Sequence, residues 1–104
     1  MELNQVVISG VIIEVEPQRY SPGGIAHQRL LVQHRSRQEE AGRPREVFCR
    51  ILVEARGELT KHSQSLAVND RVQVTGFLDR SSYKDDTGSK LILHATEIRK
   101  AELN

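Results

Sequence analysis

A chain of 104 residues is one domain's worth, and the expected organisation is a single domain over residues 1–104. At 38% apolar and 28% charged it reads as an ordinary globular domain, and no apolar run approaches the roughly 20 residues a membrane helix needs. The net charge of +1 excludes a simple polycation, and the single cysteine, Cys49, excludes an internal disulfide or a cysteine-cluster zinc site.

The first predicted strand covers residues 6–15, VVISGVIIEV, where Gly10 signals a bulge or sharp bend. Val6, Ile8, Val11 and Ile13 alternate with Val7 and Ile12, so both faces of this strand are apolar. One small barrel covers only one such face, which predicts a homodimer built through the first strand. Residues 20–24, YSPGG, form a turn. The second strand follows from Ile25 to Arg35, with Leu30 and Val32 on one face and Arg29, Leu31, Gln33 and Arg35 on the other.

Residues 36–45 read as a polar loop, in which Ser36 and Glu39 have the spacing of a capping box on one helical turn. The third strand covers 46–55. Val47, Cys49, Ile51 and Val53 form its core parity, and Phe48, Arg50, Leu52 and Glu54 face outward. Residues 57–68 allow one short helix at most. A fourth strand covers 71–78, a polar loop 80–89 and a fifth strand 90–98. Five short strands, a bent first strand and little helix predict an all-β, five-stranded OB-fold barrel, with an SH3-like barrel as the alternative. The second and third strands form the binding face of an OB-fold.

Charge is unevenly spread along the chain. Residues 1–16 carry −3, residues 17–50 carry +4 and residues 51–104 carry zero. The middle segment holds Arg19, Arg29, Arg35, Arg37, Arg43, Arg45 and Arg50. Arginine's planar fork suits phosphate and stacks on bases, so an anionic partner is expected on the second and third strands. The bland counterpart is an ordinary solvated surface. Three of the four aromatics, Tyr20, Phe48 and Tyr83, fall where an OB-fold meets its ligand. Phe48, flanked by Arg45 and Arg50, reads as a stacking platform for a base, against the alternative of a partly buried structural ring. Phe77 lies on the parity opposite Val72 and Val74, as a residue of a second face or of a dimer contact.

Catalytic and metal readings find little support. His27, His34, His62 and His94 are scattered, without metal-ligand spacing to an acid or to Cys49. His34 and His94 sit in strand patterns and read as structural, and Cys49 as a small buried apolar group. Glu39 and Glu40 lie side by side in a loop, where nothing sets an acid opposite a base. No enzyme activity, metal or cofactor is expected. The N-terminal MELNQ lacks a basic stretch before an apolar run, so no secretory signal is expected and the compartment is the cytoplasm.

Residues 21–27 (SPGGIAH), 34–42 (HRSRQEEAG), Phe48-Cys49, 70–77 (DRVQVTGF) and 88–95 (GSKLILHA) together resemble the primosomal replication protein N (PriB) family. The last two segments also resemble bacterial single-stranded DNA-binding proteins at large. The resemblance implies a homodimer of OB-folds that binds single-stranded DNA in replication restart, with the PriA helicase and DnaT as partners. It places Arg19, Arg35, Phe48 and Lys90 on DNA-binding positions, and Arg80 to Lys84 in the family's basic loop. Three departures stand out. Glu14 replaces an expected basic residue, Phe48 stands where tryptophan is common, and Asp79, Asp85 and Asp86 dilute the loop around Arg80, Tyr83 and Lys84. A housekeeping single-strand binder is expected to run on into a Gly/Pro/Gln-rich linker with an acidic tip, which the ending at 101–104 lacks. A third reading is a protein-interaction module whose arginines face acidic partners.

Overall fold

The computed structural model describes residues 1–82 and 90–101. In chain order the elements are β1 (Val6–Val15), β2 (Arg19–Tyr20), β3 (Ala26–Glu40), β4 (Arg43–Arg56), α1 (Leu59–Ser63), β5 (Arg71–Arg80) and β6 (Leu91–Lys100). The strands follow the order β1-β5-β6-β4-β3-β2, and β1 also pairs with β3. That extra pairing closes β1, β5, β6, β4 and β3 into a five-stranded barrel with the short β2 appended. All ladders are antiparallel except β4–β6. This is the OB-fold expected from the strand count, and closure leaves few edges unpaired.

β1 closes the barrel by changing partner. Val6 to Val11 pair with β5, and Val11 to Val15 pair with β3. Gly10 sits at the changeover, where a Cβ would lie 2.3 Å from the Gln33 carbonyl oxygen. The glycine therefore permits a close backbone crossing, while the register break itself falls between Ile12 and Glu14. Gly76 does the same on β5, where a Cβ would lie 2.0 Å from the His94 carbonyl oxygen. There the β5–β6 register shifts, so Leu93 and Ile98, of opposite parity on β6, both point inward.

The core is Ile12, Leu30, Val32, Val53, Ala55, Leu66, Val72, Val74, Leu93 and Ile98. Val6 and Ile8, expected at a dimer contact, pack against this core as partly buried residues. Val11 and Ile13 are half-buried and Val7 is 56% exposed. α1 closes the barrel end, with the Ser63 hydroxyl donating to Gln28 Oε1 at 2.7 Å and Gln28 Nε2 donating to the Glu16 carbonyl at 3.0 Å.

The expected loop at 36–45 is instead a continuous hairpin. β3 and β4 stay in register from His27↔Arg56 out to Glu40↔Arg43, and the chain reverses at Ala41-Gly42 alone. Both turn residues have positive φ, 53° and 77°, as a two-residue hairpin of right-handed twist requires. No capped helical turn forms at Ser36–Glu39. The arm carries no apolar alternation, so its periodicity is invisible in composition; opposed charges hold it instead. Arg45 Nη1 lies 2.7 Å from Glu40 and Arg37 Nε 3.7 Å from Glu46. Pro44 is tolerated because β4 meets β6 only at Leu52–Glu54, leaving an open edge along the arm. Because the arm leaves the barrel, Val47 and Cys49, expected in the core, are only half-buried.

Candidate nucleic-acid interface

The outward parity of the β3–β4 hairpin makes one continuous face. Phe48 is half exposed there, at 50%. It is directly opposite Arg35, whose guanidinium carbon lies over the ring 4.7 Å from its centroid, and the Arg50 guanidinium lies 5.9 Å away. Arg50 Nε also contacts Gln33 Oε1 at 3.4 Å on the neighbouring strand. Arg35, Phe48 and Arg50 are thus brought together as the alternation predicts. Arg35 also borders a groove of about 730 Å³ floored by Ser9, Gly10 and Val11 and edged by Arg71, Arg99 and Lys100.

The other expected contacts are dispersed. Arg19 and Tyr20 are exposed at the opposite end of the hairpin, where Arg19 is in register with His27. Gln18 donates to the Tyr20 hydroxyl at 3.1 Å. Arg43 and Arg45 lie at the tip of the arm, where three arginines meet Glu39, Glu40 and Glu46 and the local charge cancels. The +4 of the middle segment therefore rests on Arg19, Arg29, Arg35 and Arg50. Arg80 is exposed at the end of β5, beside Lys90, whose carbonyl accepts the Ser81 amide at 2.8 Å. Tyr83 and Lys84, with Asp85 and Asp86, lie outside the described residues.

Glu54 is the residue whose burial strand parity does not foretell. It points outward, as expected, yet is only 2% exposed. Arg29 Nε donates to its Oε1 at 3.0 Å and Arg56 Nε to its Oε2 at 2.5 Å. His27 Nδ1 and His94 Nδ1 stand 4.0 and 3.6 Å from the same carboxylate. Burial works to raise the Glu54 pKa, but the hydrogen bonds and charges of Arg56 and Arg29 outweigh it and hold the carboxyl below its ordinary value. His94 stacks on Phe77 with ring centroids 5.2 Å apart and planes 8° from parallel, and Phe77 is 42% exposed. His34 is structural, as expected: Nδ1 lies 2.7 Å from the Ser9 carbonyl oxygen and Nε2 2.7 Å from the Ser36 hydroxyl. Among the described residues no group of three or more His, Cys, Asp or Glu is placed to hold a metal, and no helix is long and apolar enough to cross a membrane.

A closed OB barrel with an exposed, arginine-flanked aromatic on its β3–β4 face defines a class, and residues 4–97 match the family described as another single-strand binding protein family. The replication restart protein PriB of Photorhabdus laumondii is 39% identical over 100 residues, covering 94% of this chain and 93% of that protein. The PriB of Proteus mirabilis is 38% identical over the same shares. The chain belongs to the replication restart protein PriB family. The solved structure of PriB from Ralstonia solanacearum superposes with a TM-score of 0.85 over 97% of this chain and all of that one; at 21% identity it bears on the fold alone. The single-stranded DNA-binding protein of Thermus aquaticus is 28% identical, with a TM-score of 0.76 over 96% of this chain and 50% of that one. None of these relatives carries an enzyme's name.

Proposed function

We propose that the protein binds single-stranded DNA along the outward face of β3 and β4, as a replication-restart accessory protein acting in the cytoplasm with PriA and DnaT. One observation carries this reading: an exposed Phe48 ring attended by two guanidinium groups. An exposed cation–π contact contributes about 0.5–1 kcal/mol. A stacked base contributes roughly 1–3 kcal/mol. A base therefore displaces a guanidinium from the ring at a net gain, and the released arginine is free to pair with the adjacent phosphate. Arg19, Tyr20, Arg80, Tyr83, Lys84 and Lys90 extend the path, while Arg43 and Arg45 contribute less because their charges are matched at the tip. The second copy of a homodimer would add a second such face, joined through β1, where Val11 and Ile13 of the expected contact (Val6, Ile8, Val11, Ile13) are not packed against the core cluster.

The test is a titration of fluorescein-labelled oligo-dT at two salt concentrations. Tight, salt-weakened binding supports the reading. Absence of binding at low salt, with capture of an acidic peptide instead, replaces it with the protein-interaction module.

A further inference from the structure

Arg29, Glu54, His94 and Phe77 occupy one row across β3, β4, β6 and β5, each in register with the next. The buried carboxylate of this row holds two arginines at once, Arg29 within the row and Arg56 two residues further along β4. One guanidinium is enough to neutralise Glu54; the second is surplus cation, and with neutral histidines the cluster carries +1. Both arginines spend their Nε edge on Glu54. Their opposite Nη edges remain on side chains that are 38% and 63% exposed. Two forks fixed side by side on a shared anchor suit the oxygens of a phosphodiester, and anchoring removes much of the side-chain entropy that binding would otherwise cost. Beside them, Arg19, His27 and Arg29 line a small groove of about 170 Å³ together with Glu16. On the other side, Phe77 shows an exposed ring that His94 backs in parallel.

We propose that Arg29 and Arg56, held on the buried Glu54 carboxylate, form a second phosphate site for single-stranded nucleic acid, with the Phe77–His94 pair as its base platform. The proposal rests on the reading of the Phe48 face as a DNA surface and extends it. Glu54 lies six residue steps along β4 from Phe48, which is roughly 20 Å of strand. A strand of about 4 nucleotides, the smallest OB-fold site, falls short of the cluster when held at Phe48, and a longer one spans both.

The experiment titrates oligo-dT of about 4 and about 14 nucleotides, lengths inside the site sizes of OB-folds, against the wild type, Arg56→Gln and the double variant Arg29→Gln/Glu54→Gln. Arg56→Gln leaves Glu54 paired with Arg29. The double variant removes a buried charge with its partner and keeps the cluster's net charge, so it tests the paired geometry apart from charge. Thermal melts accompany each titration. The expected result is a loss of about five-fold in affinity for the longer strand at 0.1 M salt, a salt slope lower by about 0.7, and little change for the shorter strand. Longer-strand affinity and slope equal to wild type in both folded variants overturn the second site while the Phe48 face stands. Absence of binding by the wild type at either length overturns the DNA reading itself.

Discussion

The Arg35 guanidinium lies 4.7 Å from the centroid of the Phe48 ring directly opposite it on the neighbouring strand. Neither residue is held by the barrel core. Phe48 is half exposed and Arg35 lies beyond the last residue at which β3 pairs with β1. The pair costs the fold little and leaves an aromatic face where a ligand can reach it.

Phe48→Ala is expected to weaken oligo-dT binding by roughly 1–3 kcal/mol, the contribution of one stacked base. Phe48→Trp should bind as well or better, and its fluorescence should be quenched on binding because the chain has no other tryptophan. Melting temperatures of both variants should stay near wild type. A large loss of melting temperature in Phe48→Ala with unchanged binding would make the ring structural.

For Arg35→Ala, the salt slope of binding should drop by about 0.7, one phosphate contact's worth. The fold should be unaffected, since Arg35 is exposed. A titration series from low to moderate salt measures this. An unchanged slope removes Arg35 from the phosphate path.

Glu54 makes stability sensitive to acid. Its folded-state pKa is depressed below the ordinary value near 4.5, so its contribution is fully present above that value and is lost as the pH falls below it. The groups facing the carboxylate are Arg29, Arg56, His27 and His94. Urea midpoints taken from pH 7 down to pH 3 should fall through this window. Glu54→Gln should flatten that fall, and an equal slope in the variant would refute the assignment.

The tip of the arm offers a stabilising change. Ala41 holds φ at 53°, a left-handed conformation that costs an ordinary L-residue about 1 kcal/mol and that asparagine tolerates. Ala41→Asn should raise the melting temperature by roughly 2–6 °C. No change, or a decrease, would show that the turn relaxes outside this geometry.

Light scattering at micromolar concentration tests the homodimer expected from β1. The mass should be that of two 11.8 kDa chains, and Val11→Arg should halve it. A monomeric wild type sinks the expectation.

The sequence by itself determined the alternation of each strand. Leu30, Val32 and Val53 inward, and Arg35, Phe48 and Arg50 outward, follow from a period of two, which is a local property of an extended backbone. It also carried the number of barrel strands, and it allowed one short helix at most within 57–68. The arm was not legible, because residues 36–45 are polar without any hydrophobic alternation and only pairing with the opposite strand makes them extended. Glu54 was half legible: parity placed it outward but could not say that Arg29 and Arg56 would cover it. Arg56 shares the Glu54 face by the period of two, but the approach of Arg29 and His94 was decided by the register of β3, β4 and β6. Which side chains share a row depends on how distant strands slide against one another, and only closure of the barrel, at the glycine crossings of Gly10 and Gly76, sets that slide.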